Sequence, residues 1–142
     1  MEQVIRTPTE ADVDRLAHQA VRASQLALAQ VGRSFLQDES DIRTLQELID
    51  FLPARVNRSD LECLGCVFGI RLAHAVEGFD WAIVEDDHGR EAALRYADTS
   101  LVVFPLSMIA NRVEDGAVDV AELFAETCAR LEALKAEVIG PH

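Results

Sequence analysis

The chain has 142 residues, 49% of them hydrophobic and 27% charged, and its 25 acidic and 13 basic residues leave a formal net charge of −12. This composition is typical of a folded chain, and the length predicts one domain, residues 1–142, with enough core to need neither disulfides nor a structural metal. The acidic balance excludes the usual nucleic-acid binders and disfavours anionic membrane surfaces, because both kinds of partner are recognised through basic side chains.

The sequence also predicts a cytoplasmic protein. The N-terminus lacks the basic region and apolar stretch of a signal peptide. The uncharged stretch at residues 99–111 has 13 residues, whereas a membrane-spanning helix needs about 20. Three cysteines are too few for a disulfide framework, which favours reduced thiols.

Three helices are predicted before any strand. The first begins after Thr9, whose hydroxyl can cap it, and ends at Gly32. Leu26 lies off its apolar stripe and is expected at the surface. The stripe has the 3–4 spacing of one buried face and consists of Val13, Leu16, Ala17, Ala20, Ala27, Leu28 and Val31.

The second helix is shorter and covers about residues 41–51, with Ser40 as its cap and Pro53 beyond its end. The third begins after Ser59, where Ser59 and Glu62 have the spacing of a capping box.

The third helix is apolar on every side, which predicts a buried, central position. Gly65 and Gly69 lie four residues apart on it, so that a neighbouring backbone can approach closely there.

A different periodicity begins at Phe79. Apolar residues alternate through residues 79–84 as in a strand, Asp86-Asp87-His88-Gly89 has turn composition, and residues 91–96 return as a second strand. A short apolar run at residues 101–104 predicts a third strand.

Two further helices complete the prediction. Pro105 suits the first turn of a fourth helix that ends at Gly116, and a fifth helix follows Asp119. The order of these elements along the chain predicts an α+β fold with three N-terminal helices, a three-stranded antiparallel sheet and two C-terminal helices. The helices are expected to pack on a single layer of sheet.

Four short motifs within residues 65–119 carry a resemblance to a known family. They are Gly65-x-x-x-Gly69, Trp81-x-x-x-Glu85-Asp86-x-x-Gly89, Leu101-Val102-Val103-Phe104-Pro105 and Arg112-Val113-Glu114-Asp115-Gly116. As a set they resemble a bacterial family catalogued only as a domain of unknown function. The resemblance implies a bacterial, single-domain, cytosolic protein, and it supplies no activity, substrate or catalytic residue.

The motif Cys63-x-x-Cys66 has the spacing of a redox pair or of half a zinc site. The predicted cap places Cys63 a full turn inside the helix among apolar residues, and only His74 and Cys128 remain to complete a zinc site. Packing thiols are therefore predicted, with zinc binding or redox use as the alternatives.

The tetrapeptide Glu85-Asp86-Asp87-His88 offers three carboxylates and an imidazole. Adjacent strand residues point to opposite faces, so a solvated hairpin turn is predicted. The alternative is an enzyme or small-ligand or cation site that uses this hairpin beside Trp81, with Asp86 or Asp87 converging on His88 or Arg95.

No nucleophile and base are evident in the sequence. Ser107 lacks the glycines of a nucleophile elbow, and the helical residues His18 and His74 are expected to be structural. We predict no catalytic residue, no cofactor and no metal.

The net charge is uneven, because residues 1–76 carry −3 and residues 77–142 carry −9. We therefore predict a non-catalytic protein-binding module, immunity-like or an adaptor, for a basic protein partner. A homo-oligomer formed through the last helix is a further alternative. The candidate partner-binding acids are Asp80, Glu85, Asp86, Asp87, Asp98, Glu114, Asp115 and Asp119.

Overall fold

A computed structural model describes residues 3–52, 56–116 and 118–139. Within these segments the α+β prediction is confirmed, with five helices as expected but four strands instead of three. The elements in chain order are β1 (Val4–Arg6), α1 (Glu10–Val31), α2 (Ser40–Asp50), α3 (Arg58–Ala75), β2 (Phe79–Asp86), β3 (Gly89–Tyr96), β4 (Val102–Val103), α4 (Pro105–Glu114) and α5 (Val120–Ile139).

The sheet is antiparallel throughout, in the order β1-β2-β3-β4. The strand missing from the prediction is β1, in which Ile5 lies opposite Val84 of β2. Three residues are too few to show the alternation by which strands are predicted. This strand therefore forms because it pairs with the free edge of β2, and its own sequence pattern does not determine it.

Helix α3 is the centre of the fold, as its apolar sequence predicted. Its side chains Leu64, Phe68 and Leu72 are fully buried, and it packs against α1, α2, α4 and α5. A Cβ on Gly65 would lie 2.5 Å from the Leu106 Cα of α4, and one on Gly69 would meet side chains of α4 and β2. The expected close approach at both glycines is thus confirmed.

The helix caps agree with the sequence at one helix and differ at two. Thr9 caps α1 in a complete capping box. At α3 the cap is Asn57, whose side chain accepts from the Asp60 N–H at 2.8 Å, so the box predicted at Ser59 is wrong. Ser40 is the first residue of α2 and makes no side-chain cap. Pro53 lies outside the described residues.

Leu26 is a second correction, because it is buried and only 9% exposed. Val13 and Leu28, which were expected inside, are 54% and 60% exposed. Helix α1 carries apolar residues on two faces, and the fold buries the one that contains Ala23 and Ala27, where small side chains admit α3.

Candidate functional site

The candidate acids do not form one surface. Glu85, at the end of β2, accepts from Arg6 Nε at 2.9 Å and from Arg90 Nε at 3.0 Å. The two guanidinium groups hold the pKa of the Glu85 carboxyl below its ordinary value. This residue therefore ties β1 to the hairpin between β2 and β3.

Among the described residues, the hairpin carboxylates belong to no group of three or more His, Cys, Asp or Glu side chains that could hold a metal ion. Asp86 closes the turn by accepting from the His88 N–H at 2.7 Å. Asp80 lies opposite Arg95 at the other end of the hairpin, about 20 Å away at the rise of a strand. Arg95 donates to the backbone oxygens of Asp98 and Thr99. Arg95 therefore lies at the opposite end of the hairpin from Asp86 and Asp87.

The remaining candidate acids lie at the connection between α4 and α5. Glu114 forms an ion pair with Arg58, and Asp119 caps α5 by accepting from the Glu122 N–H at 3.0 Å. Asp115 is exposed there. Three separate places thus hold the eight acids, and several of these side chains have structural partners.

The thiols of the Cys63-x-x-Cys66 motif are both buried. Cys66 Sγ donates to the Leu16 carbonyl oxygen at 3.4 Å, and burial raises the pKa of its thiol to about 12. Among the residues that the structure describes, no group of three or more His, Cys, Asp or Glu side chains is arranged to hold a metal ion. These contacts are those of packing thiols.

A groove of about 570 Å³ lies between α4 and α5, and both residues of β4 line it. Leu123 and Leu131 of its lining are buried in the core, and polar groups stand on both helices above them. The complete lining is Glu91, Val102, Val103, Phe104, Ser107, Met108, Asn111, Arg112, Leu123, Glu126, Thr127, Arg130, Leu131 and Leu134.

Two arginine side chains of this groove have no partner in the part of the chain that the structure describes. Five basic residues lie in the acidic half of the chain, and three of them have partners: Arg90 with Asp12 and Glu85, Arg95 with backbone oxygens, and Lys135 with the Glu77 carbonyl oxygen. Arg112 and Arg130 have no hydrogen-bond or ion-pair partner in the described part of the chain. Both line the groove.

Sequence reasoning missed these groove residues. Counting the five bases of the acidic half would have drawn attention to them, but nothing in the sequence shows which bases have partners. It also missed a hydrogen bond from the Ser107 hydroxyl to the Glu91 carboxylate. That bond joins the first turn of α4 to β3, and it lies at the wall of the groove.

The sequence profile of one protein family matches residues 41–124, more than half of the chain. This chain belongs to the family described as a domain of unknown function, DUF3806. The DUF3806 match includes all four motifs that suggested such a family. Helix α1 and strand β1, which the hairpin contacts through Arg90 and Glu85, lie outside it. The match runs from α2 to the first turn of α5.

The DUF3806 chain also resembles a solved crystal structure of a protein from Bacteroides thetaiotaomicron VPI-5482, with a TM-score of 0.78 and 16% sequence identity. The match covers 89% of this chain and 47% of that one. The chain therefore spans about half the length of that protein, and the likeness shows a shared fold.

No curated protein matches the sequence. In the described residues, no helix combines the length and the apolar character that crossing a membrane requires.

Proposed function

We propose that this chain is a non-catalytic protein-binding module and that the groove between α4 and α5 is its binding surface. The observation that carries the proposal concerns Arg112 and Arg130, the two bases of the acidic half that have no partner among the described residues: both line one groove, which has an apolar floor. Binding sites combine such apolar area with a few polar groups that are free to meet a partner.

The polar groups of the groove support binding more than catalysis. Ser107 donates to a carboxylate, whereas serine nucleophiles are usually activated by an imidazole or amine base. The Asn111 side-chain oxygen accepts from Arg58 Nη2 at 3.0 Å, and Thr127 donates to the Leu123 carbonyl oxygen at 2.6 Å. These side chains hold the walls of the groove in place.

A basic surface on the partner is supported by the carboxylates beside the groove. Asp119, Glu122 and Glu126 line a smaller adjoining cavity, and the one basic residue in its lining is Arg112. With exposed Asp115 nearby, this end of the groove carries more negative than positive charge. Such a patch steers a basic protein toward the groove.

Affinity capture from a native lysate tests the proposal. We compare the wild-type chain with Arg130→Glu and with Arg43→Glu, a matched reversal at an exposed α2 arginine that has no partner in the described chain. The proposed partner is retained by wild type and Arg43→Glu, is lost with Arg130→Glu, and binds less at high salt. Equal capture by all three proteins would place binding elsewhere.

A further inference from the structure

The groove is lined by β4, the last strand in the order of the described sheet. In the pairing of β3 with β4, the Tyr96 N–H donates to the Leu101 carbonyl oxygen at 2.9 Å, and Val102 is the next residue, opposite Arg95. Hydrogen-bonded and non-hydrogen-bonded pairs alternate in an antiparallel ladder. The N–H and C=O of Val102 therefore point away from β3, toward the outer edge of the sheet.

This edge offers room for only a short added strand. β4 has two residues, and α4 begins at Pro105 directly after it. The bond from Ser107 to Glu91 holds the first turn of α4 beside β3. A segment that pairs with Val102 therefore soon meets α4, so a chain end fits better than a continuous strand.

The charge of the groove indicates which chain end it receives. Arg112 also lines the cavity of Asp119, Glu122 and Glu126, whose carboxylates offset its charge. Arg130 does not line that cavity; it shares the groove with Glu91 and Glu126 but has no hydrogen-bond or ion-pair partner in the described residues. An unpaired guanidinium is suited to bind a carboxylate through two parallel hydrogen bonds.

We propose that the groove receives the extended C-terminal segment of the partner protein, which pairs with Val102 as an added strand and places its terminal carboxylate at Arg130. The apolar side chains of the segment lie on Val103, Leu131 and Leu134, all of which line the groove. Edge pairing supplies affinity, and side-chain pockets supply specificity, as in other cases of strand addition. This inference rests on the proposed function, because it assumes that the groove is the binding surface.

The test uses an array of random seven-residue peptides attached through their N-termini, made once with a free C-terminal carboxylate and once as the amide. Tight binders are resynthesised with a fluorescent label and titrated against the full chain. We expect amidation to weaken binding roughly tenfold or more, the effect of losing a charge-assisted hydrogen bond. Because the chain carries −12, its overall field favours the amide, so a loss on amidation reports a local contact.

Arg130→Gln should lower the affinity for the peptide with a free C-terminal carboxylate to that of the amidated peptide. It should leave the affinity for the amidated peptide unchanged. The matched control, Arg43→Gln on α2, should change neither. Methylation of one peptide nitrogen, at the residue opposite Val102, should also abolish binding. Val102→Pro should do the same on the protein side, since its N–H faces outward and an edge strand tolerates proline there.

The outcomes separate the two proposals. If peptides bind and Arg130→Gln weakens binding of the free and amidated forms equally, the contact between the terminal carboxylate and Arg130 is contradicted. The groove then remains the binding surface. If methylation of the peptide nitrogen changes the affinity at no position, the strand pairing with Val102 is contradicted and the other parts of the inference are not. If neither array binds, or if Arg130→Gln changes nothing, the inference is wrong, and the capture comparison of wild type, Arg43→Glu and Arg130→Glu then decides the proposed function by itself.

Discussion

At the scale of single residues, Asp12 shows how the fold accommodates a buried charge. The residue is 4% exposed. Its carboxylate accepts from both terminal nitrogens of Arg90, at 2.6 and 2.9 Å, and from the Thr9 N–H at 2.9 Å. These donors hold the pKa of the Asp12 carboxyl well below its ordinary value.

The Asp12 contacts predict a particular dependence of stability on pH. Because the folded-state pKa is lowered, this stabilisation is complete above the unfolded pKa of about 3.9 and is lost as pH falls toward the folded value. Urea unfolding between pH 7 and pH 3 measures it. Asp12→Asn should lower the free energy of unfolding at pH 7. It should also reduce the fall of that free energy between pH 7 and pH 3, the acid limb of the curve. An unchanged acid limb in the variant would show that Asp12 is not responsible.

The thiols give a second prediction for single residues. Burial raises the pKa of Cys66 to about 12, so roughly one molecule in ten thousand carries the thiolate there at pH 8. Cys128 is only partly buried. Iodoacetamide should label Cys128 first and Cys66 last in the native protein, and all three thiols quickly in denaturant. Rapid labelling of native Cys66, or stoichiometric bound zinc, would revive a redox or metal site.

At the scale of elements, the sequence determined where most helices and strands lie better than which face each one buries. The 3–4 pattern and Thr9 located α1 correctly, and Pro105 located the start of α4. Periodicity could not choose between the two apolar faces of α1, because that choice depends on contacts with α3. The groove was beyond prediction for the same reason, since β4, α4 and α5 meet only through tertiary packing.

Two leucines on α1 test that choice of face with the same substitution. Leu26 is buried, and Leu28 is 60% exposed. Leu26→Ala should lower the free energy of unfolding by about 2–5 kcal/mol, and Leu28→Ala should change it by no more than about 0.5 kcal/mol. Chemical denaturation compares the two variants directly. Similar losses at both positions would mean that a partner, or a second copy, covers the outer face of α1.

At the scale of the whole molecule, the family match and the structural unit differ in extent. The DUF3806 profile covers residues 41–124, whereas the likeness to the Bacteroides protein covers 89% of the chain. Core residues lie outside the profile on both sides, including Ala23 and Leu26 of α1 and Leu131 of α5. The ion pair between Asp12 and Arg90 also crosses its boundary. The cooperative unit should therefore include α1 and α5.

This difference predicts that a fragment of residues 41–124 does not fold alone. Without α1 and most of α5, α3 would expose the face that now packs against Ala23, Leu26 and Leu131, and so short a chain buries little surface to offset its conformational entropy. The full chain should unfold in one cooperative thermal transition by circular dichroism, and the fragment should show none. The control is the chain without residues 1–8, which loses β1 and the Arg6–Glu85 pair but keeps α1, and which should still unfold cooperatively at a lower temperature. A fragment that melts cooperatively near the temperature of the full chain would show that α1 and α5 are additions to a smaller autonomous domain.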